Sequence, residues 1–70
     1  MMPLALAAIG EENTVKRIGG SPEIKQHLQN LGFVVGGNVT VVTSLSGNVI
    51  VNVKDSRVAI SEEMARKIMV

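Results

Sequence analysis

Residues 38–60 read NVTVVTSLSGNVIVNVKDSRVAI, and this stretch decides the fold. Valine and isoleucine alternate with polar residues along it, which is typical of strands whose side chains are divided between two faces. The alternation predicts one strand over Asn38–Leu45 and a second over residues 48–54. Ser46-Gly47 supplies the turn chemistry of a hairpin between them.

A third strand is predicted to follow a second tight turn at Asp55-Ser56, with Val58 and Ile60 alternating with Ala59. The three strands then form an antiparallel meander. The first strand carries Val39 and Val41 on one face and Val42 on the other. The second carries Val49, Val51 and Val53 on one face, with Ile50 and Asn52 on the other.

The ends of the chain add two more predicted strands. Residues 14–18 form the first, and apolar residues three positions apart in it predict a bulge or sharp twist at residues 16–17. Ser61 is expected to cap a single helical turn over residues 62–66, and residues 67–70 alternate again as a final strand. We therefore predict an all-β fold with one short helix, a small antiparallel barrel whose last strand closes on its first.

The intervening helix is predicted from its start and stop signals. Ser21 can cap it, and Pro22 occupies the first turn, where a missing N–H costs nothing. Gly32 supplies the left-handed residue that ends it, which places Phe33 back on the helix and in the core. The apolar stripe of the helix consists of Ile24, Leu28 and Leu31.

Length and composition limit the function classes. The 70 residues make one domain, residues 1–70, and 46% of them are hydrophobic, more than so small a domain can bury. The surplus suggests a docking surface for another protein or for a second copy. A net charge of +1 and a single aromatic residue, Phe33, argue against nucleic-acid binding. The absence of cysteine is typical of a reducing compartment.

The apolar opening, residues 1–9, resembles a signal peptide only superficially, because it has no basic start and meets Glu11-Glu12 too soon. It is also too short to span a bilayer. We expect an ordered segment packed on the domain, and no membrane insertion.

The sequence offers no catalytic constellation. The adjacent carboxylates Glu11-Glu12 and Glu62-Glu63 point apart, so neither pair makes an acid/base dyad. His27 and Glu23, at i and i−4 of the helix, are a weak candidate metal pair, with an ordinary surface pair as the favoured interpretation. We expect no evident cofactor, and at most weak binding of a transition metal ion.

Three groups of residues, in this order and spacing, resemble the FeoA family, ferrous iron transport protein A. They are Gly10…Val15-x-x-Ile18-x-Gly20, then Leu28-x-x-Leu31-Gly32-Phe33-x-x-Gly36-x-x-Val39, then Val58-Ala59-Ile60-x-x-x-x-Ala65-x-x-Ile68-x-Val70. The resemblance covers nearly the whole chain and implies an SH3-like barrel. Gly32, Gly36 and Gly37 are read as structural turn residues.

The resemblance implies a non-enzymatic accessory protein of ferrous iron uptake, located in the cytoplasm, that binds and modulates the FeoB membrane GTPase transporter. The alternative is a domain that binds or senses a transition metal, as related domains do in iron-dependent repressors. Homo-oligomerisation is also left open. The candidate partner-binding residues are apolar and fall in the N-terminal segment, the turn after the helix and the hairpin tip: Leu4, Leu6, Val34, Val35 and Leu45.

Overall fold

The computed structural model describes residues 1–70, and the chain is mostly β with short helices. The elements in chain order are a 3-10 turn Leu4–Leu6, β1 Glu12–Thr14, β2 Arg17–Ile18, α1 Pro22–Asn30, β3 Asn38–Leu45, β4 Asn48–Val53, β5 Ser56–Ser61, α2 Glu62–Ala65 and β6 Ile68–Met69. None of the helices has the length and apolar character needed to cross a membrane.

The strands form two antiparallel sheets. One has four strands in the order β1-β3-β4-β5, and the other pairs β2 with β6. The predicted return of the last strand to the first is confirmed, because Arg17 lies opposite Met69 and Ile18 opposite Ile68. The ladders do not continue around the molecule, so closure into a barrel is not confirmed.

The single strand predicted over residues 14–18 is in fact divided between the two sheets. At the break, the Val15 N–H donates to the Gly37 carbonyl and the Val15 carbonyl accepts from the Gly36 N–H, both at 2.8 Å. The next N–H, that of Lys16, donates to the Met69 carbonyl at 2.8 Å. The predicted irregularity is therefore present at Lys16, and there the chain passes from one sheet to the other.

Both hairpins of the large sheet have two-residue turns with positive φ at both turn residues. Ser46 and Gly47 have φ of 47° and 82°, and Lys54 and Asp55 have 49° and 62°. These are the marks of type I′ turns, which match the twist of the flanking strands. The second turn was predicted at Asp55-Ser56 and lies one residue earlier, because the strand ladder uses Ser56 opposite Val53.

Helix α1 has the predicted ends. The Ser21 Oγ accepts from the Ile24 N–H at 3.3 Å. At the other end, the Phe33 N–H donates to the Leu28 carbonyl at 3.0 Å and the Gly32 N–H to the Gln29 carbonyl at 2.9 Å. These two bonds form a Schellman motif, which requires the φ of 109° that glycine allows at residue 32.

The core lies between the inner face of the four-stranded sheet and the layer made by α1, α2, β6 and the N-terminal segment. Every one of its 14 buried residues is hydrophobic: Leu4, Val15, Ile18, Leu28, Phe33, Val39, Val41, Val49, Val51, Val53, Ile60, Ala65, Ile68 and Val70. The register of β3 against β4 shifts between Val41 and Thr43, which leaves Val42 half-buried beside the bulge.

Candidate functional site

Four large apolar side chains beyond the first two residues remain exposed on this fold. They are Leu6 at 72%, Ile9 at 64%, Val35 at 66% and Leu45 at 60% of their full accessible area. Burial of each side chain would be favourable, and none contributes to this core. These side chains are therefore the best candidates for a partner surface.

Ile9 lies beside the second half of β3. Strand β1 is antiparallel to β3, with Glu12 opposite Thr40, so the chain that precedes β1 continues toward Leu45. A hydrogen bond from the Gly10 N–H to the Val41 carbonyl, at 2.8 Å, holds it there.

Leu6 is brought to the same end of the molecule by α2. The 3-10 turn that carries Leu6 packs against α2. The first N–H of α2, that of Glu62, donates to the Gly47 carbonyl in the β3–β4 turn at 2.9 Å. The backbone therefore carries the segments of Leu6 and Ile9 toward the half of the molecule in which β3 ends, and we call Leu6, Ile9 and Leu45 the hairpin-end surface.

Val35 lies at the opposite end of β3. It precedes Asn38, and the seven residue steps from Asn38 to Leu45 cover more than about 20 Å at the usual strand rise. Its neighbour Val34 is half-buried, in contact with the Gly37 position. The predicted candidates therefore do not form one surface, since Val34 and Val35 are separated from Leu45 by the length of the strand.

Leu4 does not belong to any surface, which corrects its place among the candidate partner-binding residues. It is 0% exposed in the core. Two backbone hydrogen bonds between Met2 and Val70, at 2.9 and 2.8 Å, fix the segment before it along the end of the chain. The N-terminal segment thus packs on the domain as expected, with Leu4 inward and Leu6 outward.

A polar cleft on the outer face of the large sheet was missed by the sequence interpretation. It has a volume of about 490 Å³ and no hydrophobic lining residue. Its floor follows the cross-strand row in which Glu12 lies opposite Thr40 and Thr40 opposite Asn52. The sequence feature that could have indicated this cleft is the set of polar residues at alternate positions of adjacent strands. The complete lining is Glu12, Asn38, Thr40, Asn52, Lys54 and Asp55.

The weak metal candidates Glu23 and His27 both lie exposed on α1, one helical turn apart. No third histidine, cysteine or carboxylate joins them in a cluster of metal-ligand spacing. In the adjacent carboxylate pair Glu62-Glu63, Glu62 makes an ion pair with Arg66 at 2.6 Å along α2. Gly36 and Gly37 hold the backbone of Val15, which gives them the turn role expected of them.

Sequence and structure are both similar to known proteins. The FeoA domain family model matches residues 2–70. The chain is 40% identical over 70 residues to a Methanocaldococcus jannaschii protein named "Putative Fe(2+) transport protein A", covering 100% of this chain and 85% of that protein. A crystal structure of an iron uptake regulatory protein, FeoA, superposes with a TM-score of 0.90 at 30% identity, over 99% of this chain and 92% of that one.

A more distant likeness concerns the fold alone. A manganese-dependent transcriptional repressor superposes with a TM-score of 0.86 at 20% identity, over 94% of this chain and 38% of that one. The SH3-like fold expected from the sequence is therefore supported by these structural relatives.

Proposed function

The chain belongs to the FeoA family of ferrous iron transport proteins, and from that membership we propose that it binds the cytoplasmic part of an FeoB-type membrane GTPase transporter and modulates it. In this proposal the protein works in the cytoplasm and carries out no chemistry of its own. Its contribution to iron uptake is made through binding.

The hairpin-end surface is the observation that supports this proposal best. Leu6, Ile9 and Leu45 are each at least 60% exposed, and backbone hydrogen bonds join Gly10, next to Ile9, to β3 and the start of α2 to the β3–β4 turn. A preformed apolar surface loses little conformational entropy on binding, so most of the free energy of burying it contributes to affinity.

Modulation without catalysis requires a difference in affinity. A bound protein shifts the conformational equilibrium of its partner only if it binds one state more tightly than the other. We propose that the hairpin-end surface contacts a region of the transporter that changes between its nucleotide states, so that docking favours one of them.

The test compares one substitution at each end of β3. We expect Leu45→Asp to weaken binding to the purified transporter in nanodiscs by at least about tenfold, because a charge would be buried in an apolar contact. Val35→Asp makes a matched change on a side chain of similar exposure at the other end and should alter the affinity by less than about twofold. Binding is measured by biolayer interferometry with the transporter in each of its nucleotide states.

Circular dichroism spectra establish first that both variants are folded. Unchanged binding by Leu45→Asp and by Leu6→Asp would remove the hairpin-end surface from the proposal. A loss confined to Val35→Asp would move the docking surface to the opposite end of the molecule.

The alternative function, binding of a transition metal, depends on α1. Glu23 and His27 are exposed on the same helix face and offer a carboxylate and an imidazole. Two such ligands without a third make a low-affinity site, with the remaining positions filled by water. Anaerobic calorimetry with Fe²⁺ distinguishes the alternatives: micromolar affinity that disappears in His27→Ala would favour a metal-binding protein.

A further inference from the structure

Strand β5 forms an edge of the large sheet, and its outer side has no backbone partner. It pairs with β4 alone. No turn, loop or terminal backbone group outside the regular elements hydrogen-bonds to any residue of Ser56–Ser61. The strand has six residues in unbroken register and contains no proline or bulge, the features that usually protect an edge from pairing.

The type I′ turn at Lys54-Asp55 fixes which backbone groups of β5 face outward. In such a hairpin the residues that flank the turn, Val53 and Ser56, form a hydrogen-bonded pair, and the pairs then alternate along the ladder. Ser56, Val58 and Ile60 therefore use their backbone groups on β4. The N–H and C=O groups of Arg57 and Ala59 and the N–H of Ser61 point to the free edge.

We propose that this edge binds a second copy of the chain, with the two β5 strands antiparallel about a two-fold axis at Ala59. In this register the Ala59 N–H of each copy donates to the carbonyl of the partner's Ala59. The Ser61 N–H of each copy donates to the carbonyl of the partner's Arg57. The Ser61 carbonyl is excluded, because an N-cap residue uses it within the helix that follows.

The side chains are compatible with the same register. Ala59, which is exposed, meets the partner's Ala59 on the outer face, where a larger residue would crowd the axis. Val58 lies opposite the partner's Ile60, on the face that each copy turns toward its own core. No pair of like charges is brought together.

Charge complementarity favours a second copy over an unrelated strand. Arg57 lies opposite the partner's Ser61, directly before the acidic start of the partner's α2. Within its own chain Arg57 makes only a 3.4 Å contact from Nε to the Asn52 Oδ1, and no ion pair. Glu63 is exposed and also makes no ion pair. The two-fold axis brings the Arg57 of each copy near the Glu63 of the other copy.

The opposite edge of the sheet is unsuited to the same role. Strand β1 has only three residues before the chain bends away at Val15, so it offers too short a template. Pairing by one six-residue strand buries little surface, which places the dimer in the weak and transient class.

Hydrogen exchange measured as a function of concentration tests the register directly. We expect the amides of Ala59 and Ser61 to exchange more slowly as the concentration rises to about 1 mM, while those of Val58 and Ile60, already bonded to β4, change little. Exchange that is independent of concentration at both Ala59 and Ser61 would overturn the proposal. The experiment contains no transporter, so its result is separate from that of the docking test.

Sedimentation equilibrium of variants supplies the second measurement. Ala59→Lys places two cations at the axis and should weaken self-association by at least about tenfold, whereas Thr43→Lys adds the same charge to the outer face away from the edge and should not. Arg57→Glu and Glu63→Arg should each weaken the dimer, and the double variant should recover it. A dimer that forms equally well in Ala59→Lys would show that another surface is used.

Discussion

The two faces of the four-stranded sheet differ in how closely folding restricts them. On the inner face, six valine and isoleucine side chains from β3, β4 and β5 are at most 4% exposed. On the outer face, the same strands carry polar residues around the cleft at one end and the exposed Leu45 at the other. Buried side chains must fill a fixed volume. Side chains on the outer face are not restricted by the packing of this core.

This difference separates stability from binding in a protein too small to have a separate binding domain. Val51 and Ile50 are adjacent in β4, yet Val51 is 0% exposed and Ile50 lies half-buried on the outer face. Substitutions at neighbouring positions should therefore affect different properties. Three pairs of substitutions test that separation.

Phe33→Ala should have the largest effect, because it empties the core that covers the inner face. Phe33 is 0% exposed and is the one aromatic residue of the chain. We expect a loss of about 3–5 kcal/mol in the free energy of unfolding, enough to unfold much of a domain with marginal stability. Urea denaturation followed by circular dichroism measures it. Phe33→Leu, which keeps most of the volume, should cost clearly less, and equal stability of wild type and Phe33→Ala would contradict the core assignment.

Leu4→Ala and Leu6→Ala extend the comparison to the N-terminal segment. Leu4 is 0% exposed and Leu6 is 72% exposed, although only one residue separates them. We expect Leu4→Ala to lower the free energy of unfolding by about 2–4 kcal/mol and Leu6→Ala by less than about 0.5 kcal/mol. The midpoint temperatures of thermal unfolding of the two variants measure this difference. The assignment of Leu4 to the core fails if the two variants melt at the same temperature.

Val51→Ala and Ile50→Ala make the finest comparison, within one strand. Val51 loses two buried carbons, so the expected cost is about 2 kcal/mol. Ile50 loses three carbons that are only partly removed from water, so the expected cost is about 1 kcal/mol. Denaturant midpoints at equal slope give the difference. A larger cost at Ile50 would mean that the outer face is covered in solution, as it would be by a partner or a second copy.

Local patterns were sufficient to predict much of the fold. The alternation of valines gave the inner face of β3 and β4, and Ser21, Pro22 and Gly32 gave both ends of α1, because each of these effects acts within a few residues. The second hairpin turn was misplaced by one residue, since Lys54 and Asp55 have positive φ, which is uncommon for residues other than glycine.

The candidate site depended on contacts that sequence patterns do not encode. A 3-10 turn of three residues has no period from which Leu4 could be told from Leu6. The separation of Val35 from Leu45 follows from the length of β3, and the placement of the Leu6 segment follows from its packing against α2. The polar cleft needs the register of three strands at once, which is a property of the assembled sheet.

The backbone of Val15 has a mechanical consequence. Both of its polar groups are bonded to Gly36 and Gly37, and the next amide, that of Lys16, is bonded to β6, so one peptide unit joins the large sheet to the small one. Displacement of the glycine turn would therefore act on both sheets through this one peptide unit. A force applied near Val35 would therefore reach the C-terminal strand through backbone hydrogen bonds at Val15 and Lys16.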